Sequence, residues 1–380
     1  MKRLSHVLGL VAALWVSTAV AMVPELPELP VRGHILVDFH SGRVLSEHNS
    51  RQRLEPASIT KIMSAYLFYQ RLDNGLLSLD DQVPVSRNAY QTIGSRMFIE
   101  VGSLVSVKDL LRGVVIQSGN DATVALAEYI AGSEAAFAQL MNATASELGM
   151  QDSHFVNSTG LPDPQHYTTA SDIAILARAL IREFPEYYQL YSERSFTYNN
   201  IEQHNRNRLL WRDPSVDGMK TGHTSSAGYC LVSSAQRDNR RLIAVVLGAE
   251  RVSDRFEASQ QLLNYGFGHF ETYQLYTAGQ VLTDVRLWKG EKSVLPLGFI
   301  EDTFVTLPKG RYDDMRAGLR INARVEAPVF RGDAFGSVLI RLDDQEIATI
   351  PLVALQDVAL GGWFGRFTDR VLLTVTGLFN

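Results

Sequence analysis

Two β-hairpin signals stand far apart in the sequence, with a long helical stretch between them. The first is GHILVDFHSGRVLSEHN, which alternates apolar and polar residues around a turn at Ser41-Gly42. The second is AGYCLVSSAQRDNRRLIAVVLGAE, whose two apolar runs meet at a polar turn around Asp238. From Ser58 to about Tyr191 the pattern is mainly helical. We therefore predict an α/β (α+β) domain in which both hairpins form one antiparallel sheet flanked by helices.

The texture of the sequence changes after about Thr272. Short alternating segments such as RINARVEAPVF and GSVLIRLDDQEIATIPLV are separated by Gly and Pro, which predicts a small β-sandwich domain over residues 273–359. Residues 360–380 predict an amphipathic helix with one mostly apolar face. The residues of this face are Trp363, Phe364, Phe367, Val371, Thr374, Val375 and Leu378. Gly361-Gly362 lies at the start of this segment and is expected to separate the helix flexibly from the sandwich.

The N-terminus has the pattern of a secretory signal peptide. Lys2 and Arg3 precede an apolar stretch that ends in Ala19-Val20-Ala21, an A-x-A cleavage pattern. We predict a signal peptide over residues 1–21 and a catalytic domain over residues 22–272. An uncleaved membrane anchor is the alternative, but the apolar stretch is shorter than the ~20 residues that a span needs.

Charge and cysteine content limit the class of protein. Removal of the signal peptide with Lys2 and Arg3 changes the formal net charge from -5 to -7, which argues against nucleic acid as a partner. Cys230 is the only cysteine, so an exported chain forms no internal disulfide and depends on its core for stability. Cys230 lies in a strand-like run and is expected to be a buried, inert thiol.

Ser58 and Lys61 stand three residues apart in EPASITKIMS, the only Ser-x-x-Lys in the chain. Residues at this spacing are neighbours on a helix. Ser58 could simply cap the helix while Lys61 is solvated. Alternatively, Lys61 deprotonates Ser58. A lysine in the first turn is unusual, because the helix dipole there favours anions.

Two further short motifs decide between these interpretations. SGND places Ser118 and Asn120 in a turn between two helices, and MKTGHT contains the only Lys-Thr-Gly, just before the late hairpin. Ser86 also begins a Ser-x-Asn, but it follows Pro84-Val85 and is expected to cap the next helix. Ser-x-x-Lys, Ser-x-Asn and Lys-Thr-Gly in this order are the pattern of penicillin-recognising serine acyltransferases.

The stretches EPASITKIMS, IQSGNDA, HNRN and VDGMKTGHTSSAGY closely resemble the low-molecular-mass penicillin-binding proteins that are D-alanyl-D-alanine carboxypeptidases. The resemblance covers nearly the whole mature chain. It implies a serine peptidase in which Ser58 attacks the peptide carbonyl. Lys61 takes the proton of Ser58, and Ser118 relays a proton to the leaving amine. A nearby Lys220 is expected to lower the pKa of Lys61 by repulsion.

The remaining site residues are expected to bind the substrate. Asn120 can hold a peptide group, and the resemblance assigns the oxyanion N–H groups to Ser58 and His223. A substrate that ends in a carboxylate needs cations and hydrogen-bond donors near that end. The candidates near the motif are Lys220, Thr221, Gly222 and His223, and the resemblance adds Arg255 and Arg206.

The resemblance further implies peptidoglycan stem peptides as substrates, acylation by β-lactam antibiotics, and a position on the periplasmic side of the bacterial inner membrane. The C-terminal helix would hold the protein peripherally on that membrane. His154, His166, His204 and His223 lack ligand spacing and there is no Cys/His cluster, so we expect no metal, and we expect no cofactor. The sequence leaves the oligomeric state open.

Three other functions are alternatives to a carboxypeptidase. A serine β-lactamase of this type carries a Glu-x-x-Leu-Asn after Ser-x-Asn to activate the deacylating water. The corresponding region, LGMQDSHFVNSTG, has no such glutamate, so slow deacylation of penicillin is expected. A D,D-endopeptidase on cross-linked peptidoglycan would use the same residues. A non-catalytic cell-wall scaffold predicts decay of the motif residues, which are all present.

Overall fold

The computed structural model describes residues 23–322 and 324–376, with side chains up to residue 372. The predicted signal peptide, residues 1–21, lies outside the described residues. The strands are β1 Gly33–Asp38, β2 Val44–His48, β3 Gln82–Pro84, β4 Leu104–Ser106, β5 Ser195–Tyr198, β6 Ile201–His204, β7 Val216–Thr224, β8 Gly228–Arg237, β9 Arg240–Ala249, β10 Phe270–Tyr276, β11 Val281–Trp288, β12 Val294–Gly298, β13 Thr303–Pro308, β14 Met315–Ile321, β15 Val325–Glu326, β16 Ala334–Leu342 and β17 Gln345–Ala354.

The α-helices are α1 Lys61–Asp73, α2 Arg87–Gln91, α3 Val107–Arg112, α4 Asn120–Ala131, α5 Glu134–Glu147, α6 Ala170–Glu183, α7 Pro185–Tyr188, α8 Leu209–Arg212, α9 Val252–His269 and α10 Trp363–Thr376. A 3₁₀ turn, Ala57–Thr60, leads into α1, and a π-helical turn, Gly113–Gln117, connects α3 to α4. Ser86 caps α2 as expected, because its hydroxyl accepts a hydrogen bond from the amide of Ala89 at 2.9 Å.

The two predicted hairpins form one five-stranded antiparallel sheet in the order β2-β1-β9-β8-β7. They join where β1 pairs with β9, with Ile35 opposite Val245. From Leu242 onward strand β9 is apolar and buried, because both of its faces are covered. Ile243 and Val245 of β9 face a core that includes α6. Leu242 and Val246 point to the opposite face, where a second core includes α9. The predicted fold class is confirmed.

The Lys-Thr-Gly motif precedes the late hairpin, as predicted, and it lies within β7, the edge strand of the central sheet. Thr221 pairs with Leu231 of β8. The alternation of this segment is weak because its polar residues are buried, so the sequence gives little strand signal. Cys230 of β8 is fully buried, as expected.

The C-terminal β-domain has its own apolar core and a six-stranded sheet in the order β14-β16-β17-β12-β11-β15. Strands β10 and β13 form a separate pair beside the central domain. The fully buried carboxylate of Asp38 at the end of β1 accepts hydrogen bonds from the hydroxyl of Thr272 at 2.5 Å and the amide of Ser41 at 2.9 Å. This contact fixes β10 against the central sheet.

Helix α10 contacts the β-domain instead of being flexibly separated from it. The amide of Gly361 donates to the carbonyl of Lys289 at 2.8 Å, and a Cβ at Gly361 would lie 2.6 Å from the carbonyl oxygen of Gly290. Asp369 accepts from the amide of Lys289 at 2.6 Å. Gly361 is therefore required by close approach of two backbones.

The outer face of α10 is apolar and exposed. Its exposed large apolar residues are Trp363, Phe364, Phe367, Val371 and Leu372. Thr374 and Val375 of the predicted apolar face have no described side chain, and Leu378 lies outside the described residues. No helix within the described part of the chain has the length and apolar character needed to cross a membrane.

Candidate active site

Ser58 lies in the 3₁₀ turn that leads into α1. The preceding residue, Ala57, has a left-handed φ of 47°, which costs about 1–2 kcal/mol for a residue with a Cβ. The backbone of Gly160 packs against this turn so closely that a Cβ at Gly160 would lie 1.8 Å from the carbonyl oxygen of Ala57. Neither this turn nor α1 has a side-chain cap, so the structure gives Ser58 no capping role.

Lys61 is buried behind Ser58, with 1 % of its surface exposed. Its Nζ donates to Oγ of Ser58 at 3.2 Å, to Oδ1 of Asn120 at 2.6 Å and to the carbonyl of Thr159 at 2.8 Å. The loop that carries Thr159 is held by Asn157, whose Oδ1 accepts from the amide of Gly160 at 2.7 Å. The acceptors on Asn120 and Thr159 hold the amine of Lys61 beside the Ser58 hydroxyl.

Burial lowers the pKa of Lys61 to about 7, and the positive charge of Arg206 acts in the same direction. The charges of Asp121 and Glu134 oppose this shift. From the sequence, Lys220 is expected to be the cation that lowers the pKa of Lys61. Lys220 is also buried, and burial and the charge of Lys61 hold the pKa of Lys220 well below its ordinary value. Desolvation is the largest cause for both lysines because neither ammonium group reaches bulk water.

The Ser118–Asn120 turn forms the second wall of the site. Ser118 has a left-handed φ of 65°, and within the described residues its buried hydroxyl has no hydrogen-bond partner. Asn120 begins α4, and its Nδ2 donates to the carbonyl of Ile93 at 2.6 Å. This bond turns Oδ1 of Asn120 toward Lys61. Arg206 reaches the same turn, where its Nε donates to the carbonyl of Gln117 at 2.9 Å.

Strand β7 forms the third wall. A Cβ at Gly222 would lie 3.0 Å from the carbonyl oxygen of Pro56 and 3.2 Å from the amide nitrogen of Ile59, so β7 passes directly along the Ser58 turn. Only glycine permits this approach without a shift of the backbone. Lys220 is buried on β7, and the next residue after Gly222, His223, stacks on Tyr229 with 4.0 Å between ring centroids.

Arg255 reaches the same strand from α9. Its Nη1 donates to the carbonyl of Gly222 at 3.1 Å, and its guanidinium lies 5.4 Å from the ring centroid of Tyr229 and 4.8 Å from that of Phe256. Burial lowers the pKa of Arg255 to about 10, so it stays charged at neutral pH. Within the described residues its buried Nε has no partner. A cation is thereby held behind the Lys-Thr-Gly strand.

The structure therefore brings Ser58, Lys61 and Asn120 into direct contact and places β7 with Arg255 beside them. Sequence reasoning missed the carbonyl of Thr159, because a backbone acceptor leaves no residue-type signal. Sequence reasoning also gave no role to Asp121, which directly follows Asn120 in the SGND motif. The roles predicted for the motif residues stay predictions.

Comparison with known proteins places this geometry in a family. Residues 20–251 match the family model described as D-alanyl-D-alanine carboxypeptidase, and residues 270–360 match the C-terminal domain of penicillin-binding protein 5. The chain is 41% identical over 360 residues to the D-alanyl-D-alanine carboxypeptidase DacA of Haemophilus influenzae, which covers 93% of this chain and 92% of the relative. The chain belongs to the D-alanyl-D-alanine carboxypeptidase family.

Solved structures of related proteins agree with this assignment. Penicillin-binding protein 5 from Haemophilus influenzae superposes with a TM-score of 0.82 at 40% identity, covering 88% of this carboxypeptidase-family chain and 98% of that structure. Penicillin-binding protein D2 from Listeria monocytogenes, in its ampicillin-bound form, gives a TM-score of 0.59 at 30% identity and covers 64% of this chain and 100% of that structure.

Membership of the D-alanyl-D-alanine carboxypeptidase family confirms the resemblance and the enzyme class predicted from the three motifs. The matches do not favour the D,D-endopeptidase or the non-catalytic scaffold. In the described part of the chain, no group of three or more His, Cys, Asp or Glu side chains could hold a metal ion.

Proposed function

We propose that this protein is a serine D,D-carboxypeptidase that removes the terminal D-alanine from peptidoglycan pentapeptide stems. The observation that carries the proposal is the contact between Nζ of Lys61 and Oγ of Ser58, at 3.2 Å. A buried amine whose pKa is lowered to about 7 is suited to deprotonate a serine hydroxyl. Family membership supports the same reaction.

The reaction proceeds through an acyl-enzyme. Oγ of Ser58 attacks the carbonyl carbon of the penultimate D-alanine while its proton passes to Nζ of Lys61. The backbone N–H groups of Ser58 and His223 stabilise the oxyanion in this proposal. The close passage of β7 along the Ser58 turn at Gly222 supports this assignment. The proton then moves through the hydroxyl of Ser118 to the amine of the departing D-alanine. Water hydrolyses the ester and regenerates Ser58.

The substrate lies between the Ser118–Asn120 turn and β7. Asn120 contacts the substrate peptide group, and Thr221 and His223 line the side of β7. The terminal carboxylate is attracted by Lys220 and Arg255. For Lys220 this requires the ammonium form, so a bound carboxylate favours protonation of a lysine that is otherwise held at a lowered pKa. Arg206 adds positive charge at the Ser118 side of the cleft.

β-Lactams are proposed to acylate the same serine. The relative from Listeria monocytogenes, solved in its ampicillin-bound form, supports this. In the proposed mechanism the β-lactam amide takes the place of the D-alanyl peptide bond. The segment LGMQDSHFVNSTG contains no glutamate to activate a deacylating water, so the acyl-enzyme is long-lived. The protein is therefore a target of these drugs.

The protein is further proposed to be exported and held on the periplasmic side of the inner membrane. Residues 1–21 act as the signal peptide, 22–272 as the catalytic domain, 273–359 as the β-domain and 360–380 as an interfacial anchor. The exposed aromatic residues of α10 support the anchor, since one face of this helix is apolar and open to solvent. Its contact with Lys289 supports a fixed orientation of the anchor on the β-domain.

A synthetic stem pentapeptide ending in D-Ala-D-Ala tests the proposed reaction. Mass spectrometry should record the tetrapeptide and one equivalent of free D-alanine, and the Ser58→Ala variant should produce neither. A cross-linked dimeric peptide is offered in parallel. Cleavage of the dimer with no release of D-alanine from the pentapeptide would contradict the proposal and identify an endopeptidase.

A further inference from the structure

Asp121 is a buried carboxylate directly after Asn120, with 1 % of its surface exposed. Its Oδ1 accepts hydrogen bonds from the amides of Ala122 at 2.9 Å and Met97 at 3.0 Å, and its Oδ2 accepts from the amides of Phe98 at 3.0 Å and Ile99 at 3.4 Å. Three of these donors belong to a segment that is distant in sequence. A buried charge is retained only where such bonds replace water.

This segment, residues 93–99, lies against the Ser118–Asn120 turn. The amide of Asn120 donates to the carbonyl of Ser95 at 2.7 Å, and Nδ2 of Asn120 donates to the carbonyl of Ile93 at 2.6 Å. Nε2 of Gln203 donates to the carbonyl of Met97 at 3.1 Å from the other side. The orientation of the Asn120 amide therefore depends on where segment 93–99 is held.

Segment 93–99 is held in a conformation that it would not adopt alone. Phe98 has a left-handed φ of 69°, which bulky residues rarely adopt, and 51 % of its surface is exposed. Packing of its side chain therefore does little to fix this conformation. The amide of Phe98 is one of those bound by Asp121, so the carboxylate holds the strained residue directly.

We propose that Asp121 is a positioning residue that holds segment 93–99 against the Ser118–Asn120 turn, fixes the Asn120 amide, and through it directs Nζ of Lys61 toward Ser58. The chain of contacts is Asp121 to segment 93–99, Ile93 to Nδ2 of Asn120, and Oδ1 of Asn120 to Lys61 at 2.6 Å. This role rests on the proposed function of Lys61 as the base.

The negative charge of Asp121 has a second consequence. The charged and titratable groups that act on Lys61 or respond to it are Asp121, Glu134, His166, Arg206 and Lys220. Asp121 and Glu134 raise the pKa of Lys61 against the larger effect of burial. Removal of either charge therefore lowers the pKa of Lys61 and moves the acidic limb of a pH–rate profile to lower pH.

The test compares Asp121→Asn with Glu134→Gln in the full chain. The rate of acylation by benzylpenicillin is measured from about pH 5 to about pH 9, by quenching the reaction and recording the mass of the protein. Both variants should move the acidic limb to lower pH. Only Asp121→Asn should also lower the high-pH plateau, by about 10- to 100-fold, because its amide group leaves buried N–H donors of segment 93–99 without an acceptor. Glu134 contacts Ser158 and not this segment. A parent-like plateau in Asp121→Asn overturns the proposal.

Amide hydrogen exchange in the parent chain gives an answer independent of activity and of the folding of any variant. The amides of Met97 and Phe98 should be protected, although they lie outside helices and strands. Exchange at the rate of an unstructured peptide would overturn the proposal. If the parent chain is not acylated at all, the proposed function fails, while the exchange measurement still reports whether the amides that contact Asp121 are held.

Discussion

The amine of Lys61 lies 3.2 Å from the hydroxyl of Ser58, and both groups lie where a 3₁₀ turn enters α1. The turn begins at Ala57, a residue with left-handed φ, and the backbone of Gly160 lies against the carbonyl of Ala57. This turn places the two side chains next to each other. Asn120 and Thr159 accept the other two hydrogen bonds of the lysine, so its position does not depend on solvent. This arrangement leads to specific expectations for variants and for pH.

Lys61→Ala should lower the rate of acylation by roughly 10²–10⁴-fold, the range for loss of a positioned base. In the parent chain the rate should fall as the pH drops below about 7, because the pKa of Lys61 is lowered to about 7 and only the neutral amine accepts the Ser58 proton. Quenched acylation assays of both proteins across a range of pH give the ratio of their rates and the pH at which the parent rate falls. A parent rate in Lys61→Ala would remove Lys61 from the mechanism.

Arg255→Ala should weaken binding of a peptide with a free terminal carboxylate by roughly 10- to 100-fold, the loss for a hydrogen bond to a charged group. A peptide with an amidated terminus should be affected much less. KM for the two peptides is the measurement. Arg251→Ala is the matched control, because Arg251 lies at the start of the same helix and is exposed. Equal losses for both peptides would mean that Arg255 supports the fold rather than the carboxylate.

Gly160→Ala should destabilise the protein and slow acylation, since the added Cβ would lie 1.8 Å from the carbonyl oxygen of Ala57. Gly132→Ala is the control, because Gly132 has a similar positive φ, 77° against 84°, with nothing within 4 Å. The control should cost only about 1–2 kcal/mol, the cost of a left-handed conformation. Thermal unfolding and acylation rates are compared. Equal effects would show that the contact at Ala57 is unimportant.

A chain ending near Gly361 should become soluble and still be acylated by penicillin, because the site contains no residue of α10. Binding of the intact chain to membranes should survive high salt and be released by detergent. Each buried apolar side chain contributes up to roughly 1.5–3 kcal/mol. Each basic residue contributes only about 1 kcal/mol. Release of the intact protein by salt alone would contradict this argument, and a truncated chain that stays on membranes would place the anchor elsewhere.

Much of the fold follows from the sequence because its signals are local. The hairpins at Ser41-Gly42 and Asp238 are fixed by turn residues between apolar runs, and their pairing follows from the need to bury β9 on both faces. The strand at Lys220 was not predicted, since its polar residues are buried for chemistry rather than packing. Gly361 was misread because flexibility and close approach require the same residue.

The candidate site was predictable to the extent that side chains carry its chemistry. Ser58, Lys61 and Asn120 were all expected from their motifs, and their mutual contacts agree with one cluster. The carbonyl of Thr159 could not be expected, because any residue supplies a carbonyl. The electrostatic order could not be expected either. Burial is a property of the packed structure, and it outweighs the neighbouring charges at Lys61.

The most direct measurement of the central claim is the intact mass of the protein after incubation with benzylpenicillin, followed by peptide mapping. The mass should rise by one drug molecule, on the peptide that contains Ser58. Ser58→Ala should remain unlabelled. Ser86→Ala, which removes the serine of the other Ser-x-Asn and the cap of α2, should be labelled as fully as the parent. An adduct on another residue, or full labelling of Ser58→Ala, would contradict the assignment of Ser58 as the nucleophile.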